Sequence, residues 1–172
     1  MNDLLWRNRA TGDLKLWLMN LAVRTAEAPL SPSAEPDTTW RVESQGSIIE
    51  DPPLPFDFNR DGKSDILWHH QGEGWLYAWL LDGTVTTQGS YLAPSRFADT
   101  LWQIRGMSDF NMDGRNDVLW HHQGRGDLYV WFMGETNGVV ATGGSYLTPR
   151  QFADTRWQIR GIADFNGDGH ND

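Results

Sequence analysis

The chain repeats itself, and this constrains the fold more than any local propensity, because copies this similar must reproduce the same packing. Asp65-Ile66-Leu67-Trp68-His69-His70-Gln71-Gly72 recurs as Asp117-Val118-Leu119-Trp120-His121-His122-Gln123-Gly124. Leu76-Tyr77-Ala78-Trp79 recurs as Leu128-Tyr129-Val130-Trp131, and Trp102-Gln103-Ile104-Arg105-Gly106 as Trp157-Gln158-Ile159-Arg160-Gly161. The period is 52 residues from Asp57 to Asp109 and 55 from Asp109 to Asp164; the difference falls in one turn, where Asp82-Gly83 becomes Gly134-Glu135-Thr136-Asn137-Gly138. A diverged copy opens the chain, with Asp3-Leu4-Leu5-Trp6, Leu14-Lys15-Leu16-Trp17 and Trp40-Arg41-Val42 in the corresponding places. The repeats therefore run approximately over 3–64, 65–116 and 117–172, in one repeat domain.

Each copy reads as four short strands. In the middle copy these cover Ile66 to His70, Trp75 to Leu81, Thr84 to Tyr91 and Trp102 to Met107, with Gln71-Gly72-Glu73-Gly74 and Asp82-Gly83 as turns. Ten tryptophans and eighteen glycines suit many short strands separated by tight turns. No helical stripe stands out, although Arg96 to Thr100 and Gln151 to Thr155 have room for one helical turn. Thr25 to Thr39, rich in Pro, Ala and Glu, is expected to loop out, and Pro52, Pro53 and Pro55 mark an irregular loop. The fold expected is all-β, with three four-stranded repeats as propeller-type blades; a sandwich of hairpins is the alternative.

Between the strands lies a recurring acidic loop. Asp57-Phe58-Asn59-Arg60-Asp61-Gly62-Lys63-Ser64-Asp65 is matched by Asp109-Phe110-Asn111-Met112-Asp113-Gly114-Arg115-Asn116-Asp117 and by Asp164-Phe165-Asn166-Gly167-Asp168-Gly169-His170-Asn171-Asp172. Oxygen-bearing side chains occupy positions 1, 3, 5 and 9: Asp57, Asn59, Asp61 and Asp65; Asp109, Asn111, Asp113 and Asp117; Asp164, Asn166, Asp168 and Asp172. A hard Ca²⁺ takes about six to eight oxygens, and alternate residues of a tight turn converge on one ion. Position 7 supplies a backbone carbonyl, which frees its side chain to be Lys63, Arg115 or His170. Glycine at position 6 permits the sharp turn. An EF-hand needs Glu at position 12 and flanking helices, whereas Trp68 and Trp120 stand there, inside expected strands. Turn formation alone is the competing account of Asp-Gly and Asn-Asp. Ca²⁺ is preferred to Mg²⁺, which tends to keep its waters.

With the Asp-Ile/Val-Leu-Trp strands after them and Trp-Gln-Ile-Arg-Gly before them, these loops resemble the FG-GAP/VCBS repeat family, over almost the whole chain and least over Ala22 to Pro55. That family includes the head of integrin α-chains and several fungal and bacterial lectins. The resemblance implies propeller blades, calcium held structurally in the loops and an extracellular or cell-surface place in adhesion or glycan binding. It also implies that the ligand set named above, with Lys63 through its carbonyl, carries over.

A net charge of −9 argues against nucleic acid, whose phosphates need a basic face, and fits bound cations. Cysteine is absent, which excludes disulfides and thiolate zinc sites. No apolar run reaches the roughly 18 residues of a membrane helix, and Met1 to Trp6 lacks the regions of a signal peptide. No nucleophile–base constellation is visible, so a non-catalytic role is expected. The paired histidines, His69-His70 and His121-His122, match no zinc signature and read as polar rim positions. Tryptophans present in every copy read as core between blades. Trp75 has Asp13 and Asp127 as counterparts and is a candidate for binding, with His70, Gln71, His122 and Gln123 beside the turns. A glycan or a surface protein is the expected partner, and the alternative is a scaffold or accessory domain of a larger secreted protein or enzyme. Because both termini align with Asn116-Asp117, the chain reads either as part of a longer propeller or as a homo-oligomer, two copies completing one ring.

Overall fold

Short, nearly continuous apolar runs become inner strands covered on both faces, and the polar, glycine-containing runs after them become largely exposed outer strands. The computed structural model describes residues 4–7, 10–20, 23–34, 37, 39–42, 56–134 and 138–163. Among them the chain is all-β, without a helix. The strands are β1 (Leu4–Arg7), β2 (Asp13–Asn20), β3 (Val23–Ala34), β4 (Trp40–Val42), β5 (Ile66–His70), β6 (Trp75–Asp82), β7 (Val85–Arg96), β8 (Trp102–Ser108), β9 (Asp117–His122), β10 (Asp127–Met133) and β11 (Ala141–Gln151).

They pair as antiparallel meanders. One sheet has the order β11-β10-β9-β8; the other runs β1-β2-β3-β7-β6-β5-β4. The longer sheet is itself two meanders, β1–β3 and β4–β7, touching through one parallel pair, Ser31 with Val85, where Ser31 N–H donates to the Thr84 carbonyl at 2.8 Å. The same junction recurs one repeat later: Ala93 bridges Val140 in parallel, and Ala93 N–H donates to the Val139 carbonyl at 2.8 Å. The hydrogen-bonded unit is offset from the sequence repeat. Trp102–Ser108, the last strand of the middle copy, pairs forward with Asp117–His122, with Trp102 opposite His122 and Ile104 opposite Trp120. Trp40–Val42 pairs forward with β5 in the same way.

Three expectations need correction. Thr25 to Ala34 does not loop out; it lies in β3, with Leu16 opposite Ala28 and Lys15 opposite Pro29. Proline lacks the N–H that a central strand must donate, but β3 bonds fully on one side only, so Pro29 and Pro32 cost it little. For the same reason β7 and β11 run past the expected ends to include Pro94 and Pro149, each after a cis peptide bond. Arg96 to Thr100 forms no helical turn either. Asp99 turns the chain instead, its side chain accepting from Leu101 N–H at 3.1 Å and its carbonyl from Trp102 N–H at 3.1 Å. Asp154 does the same with Arg156 N–H and Trp157 N–H. Pro52, Pro53 and Pro55 lie outside the described residues.

Because successive side chains of a strand face opposite ways, β5 and β6 feed two cores. Ile66, Trp68, Trp79 and Leu81 pack with Leu14 and Leu30 of the first meander. Leu67, Leu76, Ala78 and Leu80 pack with Trp102, Ile104, Val118, Trp120 and Trp131 of the last. Burial of one such aliphatic side chain contributes about 1.5–3 kcal/mol. Phe97 is the hub between the middle and last meanders, stacked on Trp131 at 5.3 Å and 10°, on Trp102 at 5.3 Å and against Trp120 at 4.9 Å. The repeated tryptophans Trp68, Trp79, Trp102, Trp120 and Trp131 are thus core, as their recurrence predicts, whereas Trp157 of the same set is 64% exposed and departs from that expectation.

Candidate functional site

Two of the three acidic loops lie in described residues, and they are built alike. In the first, Asp57 accepts from Asp61 N–H at 3.1 Å through Oδ1 and from Gly62 N–H at 2.9 Å through Oδ2. In the second, Asp109 accepts from Asp113 N–H at 3.1 Å and Gly114 N–H at 2.7 Å. Asn59 and Asn111 each accept from the same N–H of the fifth residue, at 3.1 and 3.0 Å. Asp61 and Asp113 accept from Lys63 and Arg115 N–H, both at 2.9 Å. Gly62 and Gly114 adopt φ of 82° and 79°, the left-handed turn that a Cβ disfavours. Arg60 and Met112 also stand at φ 62°; the third loop carries Gly167 there.

Asp65 and Asp117 anchor the loops to the sheet. Each is buried and spans two elements: Asp65 accepts from Phe58 N–H at 2.8 Å and Leu81 N–H at 2.9 Å, Asp117 from Phe110 N–H and Met133 N–H, both at 3.0 Å. Burial pushes both carboxyls up to about 6, against the pull of those N–H donors and with help from the two neighbouring loop aspartates. The Lys63 ammonium turns away to Asp82 at 3.0 Å, whereas Arg115 reaches Asp113 at 3.5 Å. The donor set of each loop, three carboxylates and an amide carbonyl, is oxygen only and fits a hard divalent cation. Among the described residues no three His, Cys, Asp or Glu side chains are gathered closely enough to hold a metal ion; the loop oxygens are turned onto their own backbone. Asp164, Asn166, Asp168, His170 and Asp172 lie outside the described residues.

The histidines are not rim residues. His69, His121 and His122 are buried and His70 is half-buried. Both faces of β5 and β9 are covered, so neither member of a pair reaches water freely. Nδ1 of His70 accepts from Glu73 N–H, and Nδ1 of His122 from Gly124 and Arg125 N–H, each at 3.0 Å. That leaves the proton on Nε2, which meets Thr39 Oγ1 at 2.7 Å in His70 and Asp99 Oδ2 at 3.0 Å in His122. These histidines close a hairpin turn and tie it to the turn that leads into β4 or β8. Gln71 and Gln123 donate back to the carbonyls of His69 and His121 at 3.2 and 3.1 Å. His70, Gln71, His122 and Gln123 are therefore engaged in hydrogen bonds within the sheet and its turns. His69 sits edge-on to Trp120 at 5.6 Å, and burial, then the charges of Arg41 and His70, lower its pKa to about 4.

Trp75 belongs to a surface of a different kind. Its ring lies 5.8 Å from Tyr91, which meets Tyr77 at 4.8 Å, and the Arg96 guanidinium sits 5.2 Å from the Trp75 ring. Trp75 Nε1 donates to Glu73 at 2.7 Å. One repeat later Tyr129 meets Tyr146 at 4.9 Å, and Arg150 lies 3.8 Å over Tyr146 while also reaching Asp127 at 3.3 Å. Tyr91 is 53% and Tyr146 40% exposed. Glycine makes room for the inner tyrosine: a Cβ on Gly89 would stand 2.6 Å from Tyr77 Oη, and one on Gly144 2.7 Å from Tyr129 Oη. In the first meander the same register sets Lys15 opposite Pro29, without an aromatic pair. The Leu-Tyr and Gly-Ser-Tyr-Leu segments that carry the tyrosines repeat in the sequence; only the strand register reveals that they meet.

A scan against protein-family models finds no match, and searches of the curated proteins and of the solved structures find none either.

Proposed function

We propose that the chain is a calcium-stabilised β-propeller repeat module with a non-catalytic recognition role, and that its ligand is a glycan. The observation that carries the recognition reading is the duplicated Tyr–Tyr pair, Tyr77–Tyr91 and Tyr129–Tyr146, with Arg96 beside the first, over Trp75, and Arg150 beside the second, over Tyr146. Two exposed tyrosine faces, at corresponding places on the outer strands, offer flat apolar area for sugar C–H groups and hydroxyl, guanidinium and carboxylate groups for sugar hydroxyls. Two related sites on one scaffold raise avidity for clustered glycans. The propeller reading is supported by the repeated junction, Ser31 with Val85 and Ala93 with Val140, since one step applied again generates a ring or a solenoid.

In the calcium reading, Asp57, Asn59, Asp61, Asp65 and the Lys63 carbonyl hold one ion; Asp109, Asn111, Asp113, Asp117 and the Arg115 carbonyl hold another. The third loop supplies the same donors from Asp164, Asn166, Asp168, His170 (carbonyl) and Asp172. Bound there, calcium offsets carboxylates that otherwise repel one another. Its role is structural, and it suits an extracellular or cell-surface setting, where free calcium is high. The test is a glycan array probed with the native chain and with Tyr91→Ala and Tyr146→Ala. Sugar-inhibitable binding that weakens in each single variant and is lost in the double variant supports the reading. Binding unchanged in the double variant, or none to any glycan, contradicts it.

A further inference from the structure

The two tyrosine pairs share a frame but not a charge. Leu76-Tyr77 and Gly89-Ser90-Tyr91-Leu92 recur as Leu128-Tyr129 and Gly144-Ser145-Tyr146-Leu147, so Trp75 corresponds to Asp127 and Ser95-Arg96 to Arg150-Gln151. The register sets Arg96 opposite Trp75 in the middle meander and Gln151 opposite Asp127 in the last. Around Tyr146 the charges are closed among themselves. Asp127 is buried and accepts from Arg125 Nε at 2.8 Å and from Arg150 Nε at 3.3 Å. Asp99 stands 3.9 Å from the far end of the same Arg125, and Gln151 Nε2 donates to the Arg125 carbonyl at 3.4 Å. Around Tyr91 the balance is different. Arg96 is exposed, its guanidinium borders the Trp75 ring at 5.2 Å, and among the described residues no carboxylate pairs with it. Glu73, on the turn before Trp75, takes the indole N–H instead, at 2.7 Å.

A guanidinium that rests against an aromatic ring keeps its N–H edge for two parallel hydrogen bonds to an oxyanion. The exposed Tyr91 ring lies 5.8 Å from the same Trp75 ring. An apolar pyranose face on Tyr91 and a charged substituent on Arg96 therefore belong to one sugar residue. We propose that the Trp75–Tyr91–Arg96 surface is an anionic-sugar subsite, taking a glycan residue that bears a carboxylate or sulfate group, and that the Tyr146 surface takes a neutral residue. The inference rests on the glycan reading above and adds to it the charge of the ligand and a division of labour between the two surfaces. The difference between them follows from three positions that changed between the copies. With Asp at 127, the arginine of β11 is drawn onto a buried carboxylate, and its charge is answered inside the protein. With Trp at 75, the arginine of β7 meets a ring that attracts the cation without neutralising it. Glu73 and the net charge of −9 disfavour a run of anionic groups, so the ligand carries a single charged residue in an otherwise neutral glycan.

The test is an array of matched sugars across the common pyranoses, in which the sixth carbon carries a hydroxyl, a carboxylate or a sulfate ester. The quantity read is the ratio of anionic to neutral binding. The native chain is expected to favour an anionic member about five- to tenfold at low salt, by a ratio that shrinks as ionic strength rises. Preference for the uronic acid or for the sulfate meets the expectation equally and identifies the group. The ratio is expected to fall toward one in Arg96→Gln and in Tyr91→Ala. It is expected to rise in Tyr146→Ala, where the Trp75 surface alone is left to bind. It is also expected to rise in Glu73→Gln, which keeps an acceptor for Trp75 Nε1 but removes the negative charge beside the subsite. A ratio of one in the native chain, with neutral sugars bound, overturns this inference and leaves the glycan reading standing. A preference undiminished in Arg96→Gln overturns it too, because the anion is then held elsewhere. No binding to any member overturns the glycan reading and this inference with it.

Discussion

Trp102-Gln103-Ile104-Arg105-Gly106 and Trp157-Gln158-Ile159-Arg160-Gly161 are identical in sequence, yet one is a buried strand and the other an exposed, irregular segment. The local beginning is the same in both. Asp99 and Asp154 make the same turn onto the following tryptophan N–H, at 3.1 Å in each case. The two then diverge at their partners. Asp99 meets His122 of the strand that follows, whereas Asp154 folds back on Arg156, at 2.7 Å from Nη2 and 2.8 Å from Nε. Strand character here comes from β9 and from Phe97 rather than from the five residues themselves, which is the dependence on context expected of β propensity.

The largest expected break in this comparison comes at the tryptophans. Trp102→Ala removes a ring stacked on Phe97 and is expected to cost about 3–5 kcal/mol in urea denaturation. Trp157→Ala, at an exposed position, is expected to change stability by less than about 0.5 kcal/mol. Equal losses at both positions would mean that the second tryptophan is as buried as the first.

Next comes the anchor of the loop. Asp117→Ala leaves Phe110 N–H and Met133 N–H without their acceptor, at about 1–3 kcal/mol for each buried donor left unmet. Asp113→Ala, at an exposed position in the same loop, is expected to cost less in the absence of calcium. The two would change places only if the loop were held by something other than its buried aspartate.

A smaller, pH-dependent effect belongs to His69. Its folded pKa is depressed to about 4, so the folded state binds fewer protons than the unfolded chain, where histidine titrates near 6.5. The stability it contributes is complete above about 6.5 and is lost as pH falls toward about 4, by roughly 2–4 kcal/mol over that window. His121 is shifted the same way by burial. His69→Leu is expected to flatten this slope when unfolding is followed at a fixed saturating calcium level. A slope as steep as that of the native chain would assign it to other groups. The smallest effect expected is at Met112, exposed and at φ 62°. Met112→Gly, the residue of the third loop, is expected to stabilise by up to about 1 kcal/mol in the same denaturation assay.

The repeat made most strands legible, since Ile66 to His70 and its copies carry apolar residues on both faces between strong turn signals. It also pointed to the core tryptophans. Position along the repeat did not reveal pairing: Trp102 reads as the end of one copy but bonds to the start of the next. Proline misled over Thr25 to Ala34, because composition does not distinguish a loop from an outer strand bonded on one side. The histidines misled because alternation places one of two neighbours outward only when one face of the sheet is open, and β5 and β9 have none open. Asp37-Thr38-Thr39-Trp40, Asp99-Thr100-Leu101-Trp102 and Asp154-Thr155-Arg156-Trp157 share an Asp three residues before Trp. That pattern was the available signal for the turn that positions each tryptophan and, through Asp99, His122. The aromatic pair Tyr77–Tyr91 needed the register, which a single sequence does not supply.

The central claim is that the loops Asp57–Asp65 and Asp109–Asp117 are structural calcium sites, and thermal unfolding with EDTA followed by calcium titration tests it most directly. The account predicts a melting temperature that falls in EDTA, recovers with Ca²⁺ but not with Mg²⁺, and recovers less in the double variant Asp61→Ala/Asp113→Ala. No shift on chelation, with no metal found by elemental analysis of the untreated protein, would contradict it and reduce both loops to turns that cap their own backbone.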